Sequence, residues 1–539
     1  MACSTKLTST QMIWLVSAWI VLLDNGLFWQ TIWNSAGGWA PAPLAFIFSA
    51  LVVAVALTNL LLNLLSFSWL TRIFLGLALN LCAIASYYMN HFNVLIDAEM
   101  IRNVVATDFN EALELINHTT FVYVLLLGVL PSLLMWRYLD VQRNFLQEAM
   151  AKLFSSLLSL LLMACFIFPL FPNYASLARN HRDLRLMLTP LNYVAGLFNV
   201  AKSSWQSAMN QPVLVPAARS THWREQKKHA VFVLVVGETA RSANFSLAGY
   251  SRLTNPELSQ RDVIYFGNVH SCGTATAVSL PCMFSNMVPG GTQMAGKGAN
   301  LLDVLNQSGF QLLWRDNNSG CKSVCDRIPF ESMTKNKNTV YCGHGECFDE
   351  ILLEGLATYI DHLNEDAVIV LHQKGSHGPA YFLRYPTEYE RFEPVCRTSE
   401  LQKCSQQEII NAYDNTLLYT DHVLAELIDL LAKKSDQVDT AMLYLSDHGE
   451  SLGENNFYLH GAPYVIAPSE QTHIPMIAWL SQGFKQRIGL EWSCLQTHKN
   501  ADLTHYHLFH SVLGLLQVQS PAYFQGLDIF HSCMRQPDP

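Results

Sequence analysis

Five long apolar stretches in the first third of the chain constrain its fold more than any other feature. They run Gln11–Trp33, Pro43–Phe67, Leu70–Met89, Phe121–Leu139 and Ala151–Phe171. Each approaches or exceeds the ~20 residues that a helix needs to cross a hydrocarbon core of about 30 Å, where every backbone polar group must be satisfied internally. The stretch at the start lacks a short apolar core followed by a small-residue cleavage site, so it reads as an anchor rather than a removed signal peptide. Asp24 is a foreign residue inside it, expected to face a neighbouring helix or the outer interface.

Charge sharpens this reading. Between Met1 and Asn173 stand only six of the 34 Lys and Arg residues of the 539-residue chain. With the N-terminus inside, Lys6, Arg72, Arg137, Arg143 and Lys152 fall on the inner face and only Arg102 on the outer, which favours that orientation. Five crossings then put everything after Pro172 outside. The net charge of −9 gives no electrostatic footprint for nucleic acid. Expected boundaries are 1–172 for a transmembrane domain, 173–220 for an interfacial helix and linker, and 221–539 for a catalytic domain.

Cysteine usage is an independent test. Cys3, Cys82 and Cys165 lie in the tail or the membrane stretches, and the other ten of 13 lie beyond Pro172. Cys272 and Cys282, Cys321 and Cys325, Cys342 and Cys347, and Cys396 and Cys404 are close in sequence, leaving Cys494 and Cys533. Ten cysteines permit many connectivities, and proximity alone does not choose among them. An oxidising compartment favours disulfides, and the spacings lack the repeated C-x-x-C of a zinc cluster.

From His229 the pattern is α/β. Val231–Val236, Leu312–Trp314, Ala367–Leu371 and Ala441–Leu445 read as short buried strands, each followed by polar residues, with a helical segment at Gln407–Leu431. Ligand sites of open α/β sheets gather at the carboxyl ends of strands, so these four ends predict one shared site. Glu238 follows one strand, and Asp447 with His448 follows another, an acid–acid–imidazole set suited to Zn²⁺ or Mn²⁺. The small-residue loop Cys272–Cys282 offers Thr276, a weak nucleophile that a metal would activate. A helix beginning there would favour a phosphate. His377 and His460, both flanked by turn residues, could bind phosphate oxygens, pass a proton or hold a second metal. In the outer loop, Asn103, Thr107 and Glu111 recur every four residues and share one helix face, which by spacing alone reads as solvated.

The motifs Val-Val-Gly-Glu238-Thr-Ala-Arg241, Ser-Cys-Gly-Thr-Ala-Thr276-Ala-Val-Ser-Leu-Pro-Cys, Gly-Ser-His377-Gly-Pro and Ser-Asp447-His448-Gly-Glu-Ser-Leu-Gly-Glu, followed by His460, resemble the phosphoethanolamine–lipid A transferases. These include the intrinsic and the mobile colistin-resistance enzymes, in the alkaline phosphatase/sulfatase superfamily. The resemblance implies five transmembrane helices plus an α/β periplasmic domain of alkaline phosphatase/sulfatase type, in the inner membrane of a bacterium. It implies Glu238, Thr276, Asp447 and His448 as ligands of one tightly bound zinc, with Thr276 carrying phosphoethanolamine. It implies His377 and His460 in a second-metal or phosphate environment, and Asn318 and Lys322 near the substrate. Asn103, Thr107 and Glu111 become a membrane-side substrate surface, and the ten outer cysteines a framework of five bridges. The donor is expected to be phosphatidylethanolamine and the acceptor a lipid A phosphate, with a monomeric enzyme and polymyxin resistance as the outcome. Rivals are another glycan or lipopolysaccharide-core acceptor, a phosphodiester hydrolase, or a catalytically dead membrane sensor. One stretch departs from the family pattern: Thr504-His505-Tyr506-His507 stands where Ser-His-Asp-Asn is usual, and those residues are left unassigned.

Overall fold

The computed structural model describes residues 6–36, 41–66, 70–107, 115–140, 144–181, 184–208, 215–288, 292–293, 298–335, 340–343 and 346–535. It divides into two compact units, Met1–Ile101 with Ile116–Lys202, and Arg102–Leu115 with Ser203–Pro539.

The smaller unit is helical. Helix α1 (Ser9–Leu23) opens on a reciprocal capping box between Thr8 and Gln11. Helix α2 (Gly26–Ala36) follows, and the two axes are bent by 65°. The apolar stretch Gln11–Trp33, expected as one crossing, is thus a bent pair of helices. Asn25 stabilises the break: its amide donates to the Ile20 carbonyl (2.9 Å) and its side-chain oxygen accepts from the Thr189 amide (2.8 Å). Helices α3 (Pro41–Leu65), α4 (Thr71–Phe92), α5 (His118–Tyr138, with a π-turn at Leu125–Val129) and α6 (Phe145–Ile167) complete the set. Among the described residues, four helices are long and apolar enough to cross a membrane, or up to five if the bent pair is one span. On α6, Leu153, Phe154, Leu157 and Leu161 are exposed, as expected where lipid rather than protein is the neighbour. Its opposite side meets α3 through polar groups. Asn59 Oδ1 accepts from Asn63 Nδ2, Ser155 Oγ and Ser159 Oγ at 2.7, 3.1 and 3.0 Å. Such bonds join helices where burial of apolar surface supplies no drive. The amphipathic segment after Pro172 adds Leu184, Met187 and Leu188 to a cluster with Val21, Phe28 and Ile32.

The larger unit is built on an eight-stranded sheet. In chain order its strands are β1 (Ala230–Gly237), β2 (Ile264–His270), β3 (Gln311–Asp316), β4 (Phe330–Ser332), β5 (Ala367–His372), β6 (Asp439–Ser446), β7 (His473–Leu480) and β8 (Leu503–Thr504). The spatial order is β8-β2-β7-β6-β1-β5-β3-β4. The run β6-β1-β5-β3-β4 is parallel, while β7 is antiparallel to both its neighbours. A parallel strand buried on both faces reads as an unbroken apolar run, as Ala-Val-Phe-Val-Leu-Val-Val-Gly does in β1. Its side chains alternate between two cores, Phe232, Leu234 and Val236 on one side and Val231, Val233 and Val235 on the other. Helix α7 (Thr276–Met283) packs in the Phe232 core, and helix α8 (Gln406–Lys434), capped by Ser405 and Glu408, covers the other face.

Five disulfides join Cys272–Cys282, Cys321–Cys325, Cys342–Cys347, Cys396–Cys404 and Cys494–Cys533.

Candidate metal and phosphate site

The four strand ends read from sequence belong to four adjacent parallel strands, β6, β1, β5 and β3, so their polar turns converge on one edge. In the β6–β1 ladder Ser446 pairs with Gly237, which brings the next residues, Asp447 and Glu238, alongside each other. Ligand atoms of Glu238, Asp447 and His448 all lie within 4.8 Å of one another, and all three residues are buried.

Thr276 is the first residue of α7. Its Oγ1 lies 3.2 and 3.1 Å from the two carboxylate oxygens of Glu238 and 3.3 Å from His448 Nε2. The loop before it is fixed from several sides. The Cys272–Cys282 bridge ties it to the helix, the Gly461 amide donates to the Thr274 carbonyl (2.7 Å), and Thr274 Oγ1 donates to the Ala462 carbonyl (2.6 Å).

The donor set suits a cation. His448 Nδ1 donates to the Gly449 carbonyl at 2.9 Å, so Nε2 is the ring nitrogen turned to the site, where a bound cation would take the place of its proton. Asp447 Oδ1 accepts from the Thr239 and His448 amides, while its buried Oδ2 has no hydrogen-bond partner. That oxygen stands 3.4 Å from His448 Nε2 without a hydrogen bond, which leaves it open to a closer positive partner such as a metal ion. Burial, together with the neighbouring charge of Glu238, pushes the Asp447 carboxyl up to about 6. Burial also acts to raise Glu238, but the hydrogen bond and charge of His448 overcome it and hold that carboxyl well below its ordinary value. For His448 burial acts downward, and the facing Asp447 and Glu238 lift it to about 10. Two carboxylates against one imidazole leave an excess of negative charge that a divalent ion neutralises.

A surrounding layer aims these groups. Asn318 Nδ2 donates to Glu238 Oε2 and to the Gln373 carbonyl, both at 2.8 Å. Thr239 Oγ1 donates to Glu238 Oε1 at 2.6 Å. His460 and His377 stand next to His448: the His460 ring centroid is 4.5 Å from that of His448 and 5.4 Å from that of His377. Glu450, itself bonded by the Tyr381 hydroxyl (2.5 Å), accepts from His460 Nδ1 (2.9 Å). The His377 carbonyl accepts from Arg384 Nε (2.7 Å), and Arg384 pairs with Glu346, which also meets Lys374 at 3.2 Å.

The remaining sequence candidates are less central. Lys322 Nζ donates to Ser319 Oγ and its carbonyl, at 2.9 and 3.2 Å, within the loop that carries Asn318. Thr107 Oγ1 donates to the Asn103 carbonyl (2.8 Å), the one-turn neighbour expected from their spacing, and Glu111 lies outside the described residues. Sequence reasoning missed three groups. His372 bonds Asp316 at 2.8 Å and stands 3.4 Å from Asn318 Nδ2. Glu450 orients His460. His505, left unassigned, accepts from the Cys272 amide at Nδ1 (3.2 Å) and bonds the Ser446 carbonyl through Nε2 (2.9 Å). It thus ties the Thr276 loop to the strand end bearing Asp447. A polar residue at a strand end hinted at the first; Glu450 stands within the Asp447-His448 motif and His505 within the stretch Thr504–His507, but neither setting named a role.

Comparison with known proteins bears on this geometry. A sulfatase family model matches residues 230–518, and a model described as phosphoethanolamine transferase EptA/EptB matches residues 54–205. Phosphoethanolamine transferase EptA of Salmonella typhimurium is 41% identical over 494 residues, covering 90% of this chain and 89% of its own. The chain belongs to the phosphoethanolamine transferase family. Another member, phosphatidylethanolamine transferase Mcr-1 from Escherichia coli, is 37% identical, covering 81% of this chain and 83% of its own. Among solved structures, the integral membrane lipooligosaccharide phosphoethanolamine transferase A (EptA) of Neisseria meningitidis superposes with a TM-score of 0.92 at 34% identity, covering 98% of this chain and 100% of that one. The expected architecture, an apolar helical region followed by an α/β domain of alkaline phosphatase/sulfatase type, is the one this family has. The protein is a membrane-embedded enzyme of the transferase class.

Proposed function

We propose that the protein transfers phosphoethanolamine from phosphatidylethanolamine to a phosphate of lipid A, through a covalent intermediate on Thr276, at the periplasmic face of the bacterial inner membrane. The observation that carries this reading is the Thr276 hydroxyl, at the first residue of a helix and within 3.3 Å of both Glu238 and His448.

Glu238, Asp447, His448 and the Thr276 oxygen would hold one zinc ion, whose Lewis acidity lowers the pKa of the hydroxyl. Thr276 Oγ1 gives up its proton to solvent and attacks phosphorus, the bond to the diacylglycerol oxygen breaks, and that oxygen takes a proton. His460 suits this delivery: Glu450 holds Nδ1, leaving Nε2 for substrate. His377, beside it, would bind a phosphate oxygen or join His460 in holding a second metal. The amide groups at the start of α7 favour the charge on phosphorus. An oxygen of the lipid A phosphate then attacks, the bond to Thr276 breaks, and Oγ1 regains its proton. Asn318 and Lys322 line the headgroup approach, and Asn103, Thr107 and Glu111 form a lipid-side surface. Every group comes from one chain, so a monomer suffices. The added ethanolamine cation lowers the net negative charge of the acceptor and weakens the attraction of polybasic peptides such as polymyxins.

Mass spectrometry of lipid A from cells expressing the protein or Thr276→Ala tests the reading. A phosphoethanolamine increment only with the native protein is expected. No increment, or an equal one in the variant, refutes it, and an increment on the core sugars alone moves the acceptor to the rival glycan. Labelled phosphatidylethanolamine should leave label on the peptide containing Thr276.

A further inference from the structure

Beyond His460 the chain does something unusual for a water-exposed loop. Between Glu454 and Glu470 it carries no Lys, Arg, Asp or Glu. Tyr464, Val465 and Ile466 are all exposed, Val465 to 96%. Among the described residues from 203 to 535, the other exposed large apolar side chains, Trp205, Leu253, Phe330, Val340, Leu383 and Phe524, stand singly. Isolated exposed apolar residues need no explanation, whereas a consecutive run costs solubility and marks a contact surface.

The run is held out by a rigid base. The Ile466 amide donates to the Pro463 carbonyl (2.9 Å), closing a turn. Beneath it the buried Gln471 accepts from the Ala462 amide (3.1 Å) and donates to the Leu459 carbonyl (3.1 Å) and Ser451 Oγ (2.9 Å). The Tyr464 hydroxyl donates to the Ser271 carbonyl (2.8 Å), and Thr274 is bonded to both Gly461 and Ala462. The tip is therefore fastened to the very loop that presents Thr276. Val465 lies five positions beyond His460, a reach of at most about 18 Å.

We propose that the turn Pro463–Ile466 is an apolar grip for the acyl-bearing part of the phospholipid whose phosphate lies at Thr276. This rests on the lipid-donor reading above and names the part of the donor that reading leaves unbound. A headgroup phosphate at the metal site leaves the donor's hydrocarbon outside the polar edge of the sheet. The uncharged, pre-ordered tip rooted beside the nucleophile offers that hydrocarbon a surface without further ordering cost. Tyr464 supplies an amphipathic ring whose hydroxyl is already satisfied and whose body remains exposed.

The test uses the full-length protein in nanodiscs. Val465→Ser combined with Ile466→Ser leaves the Tyr464 anchor intact. Transfer from long-chain phosphatidylethanolamine should fall about tenfold or more in kcat/KM, carried by KM. Transfer from glycerophosphoethanolamine, which has the headgroup but no acyl chains, should be unchanged. Equal losses on both donors, or none on either, overturn the proposal. A separate measurement needs no turnover: Val465→Trp should show fluorescence quenching by brominated acyl chains beyond that of the unsubstituted protein, and no added quenching overturns the grip. A native protein that transfers nothing from either donor sinks the catalytic reading instead, while the quenching still decides the lipid contact.

Discussion

His505 is fully buried and bonded at both ring nitrogens, and this arrangement works only in one protonation state. Nδ1 accepts from the Cys272 amide, so it must carry a lone pair; Nε2 faces the Ser446 carbonyl, so it must carry the proton. A second proton would set two N–H groups against each other at Cys272. Burial, aided by the charge of His448 and opposed by the Ser446 bond, pulls the imidazole from 6.5 to about 4. The folded state therefore binds this proton less readily than the unfolded chain does. The stabilisation is complete above pH 6.5, decreases as pH falls, and is lost once pH passes the folded value. At about 1.4 kcal/mol per pH unit, the full effect is about 3 kcal/mol. His505→Asn keeps an acceptor near the Nδ1 position but cannot titrate. At neutral pH it should cost about 1 kcal/mol for the lost Ser446 bond. Thermal unfolding of the detergent-solubilised chain, followed by tryptophan fluorescence from pH 8 to pH 4, provides the assay. His510, also pulled to about 4, and Asp528, pushed up to about 6, titrate in the same window, so the native-minus-variant difference is the quantity to read. That difference should fall by up to about 1.4 kcal/mol per pH unit below pH 6.5 and change sign before pH 5, the variant becoming the more stable. Parallel pH profiles for the two proteins would refute the assignment of tautomer and the bridging role together.

Asn318→Ala removes one of the bonds that aim Glu238, and chelator competition should report metal binding weakened by about ten- to a hundredfold, with the unfolding temperature little changed. A methyl group at Gly449 would meet the Glu470 carbonyl oxygen at 2.0 Å; Gly449→Ala should cost about 1–3 kcal/mol and lower the metal content of the purified protein, since His448 is adjacent. Replacing Cys494 and Cys533 by serine opens a bridge spanning 39 residues and should lower stability by about 4 kcal/mol while the phosphoethanolamine transfer rate at low temperature persists.

Much of the larger unit was legible because its strands are short Val- and Leu-rich runs that stop at polar residues. The pattern located β1, β3, β5 and β6 within about two residues, and α8 within three at either end. Their side-by-side order was not legible, because pairing depends on connections that no local run encodes. The groups behind the site were hidden for the same reason. Glu450 and His505 act on residues 10 and 59 positions away, so the stretches that contain them show the residues without their roles. The break at Asp24 was half legible: the acid was conspicuous, but the bend depends on Asn25 reaching Thr189, 164 residues on. Asn103 and Thr107 share a turn as their spacing predicted, and spacing alone could not say what they face.

The pattern of disulfides has a consequence for how the protein is made. Each bridged cysteine is joined to the next cysteine along the chain, and four of the five links span ten residues or fewer. A segment emerging from the N-terminal end therefore meets its correct partner before any competitor exists. First-come oxidation and native oxidation coincide, although ten thiols admit many other connectivities. The loop bearing Thr276 is the earliest to close. Sequence order alone thus protects the nucleophile from mispairing, and the long Cys494–Cys533 link, the last to form, is the one whose closure waits on the fold.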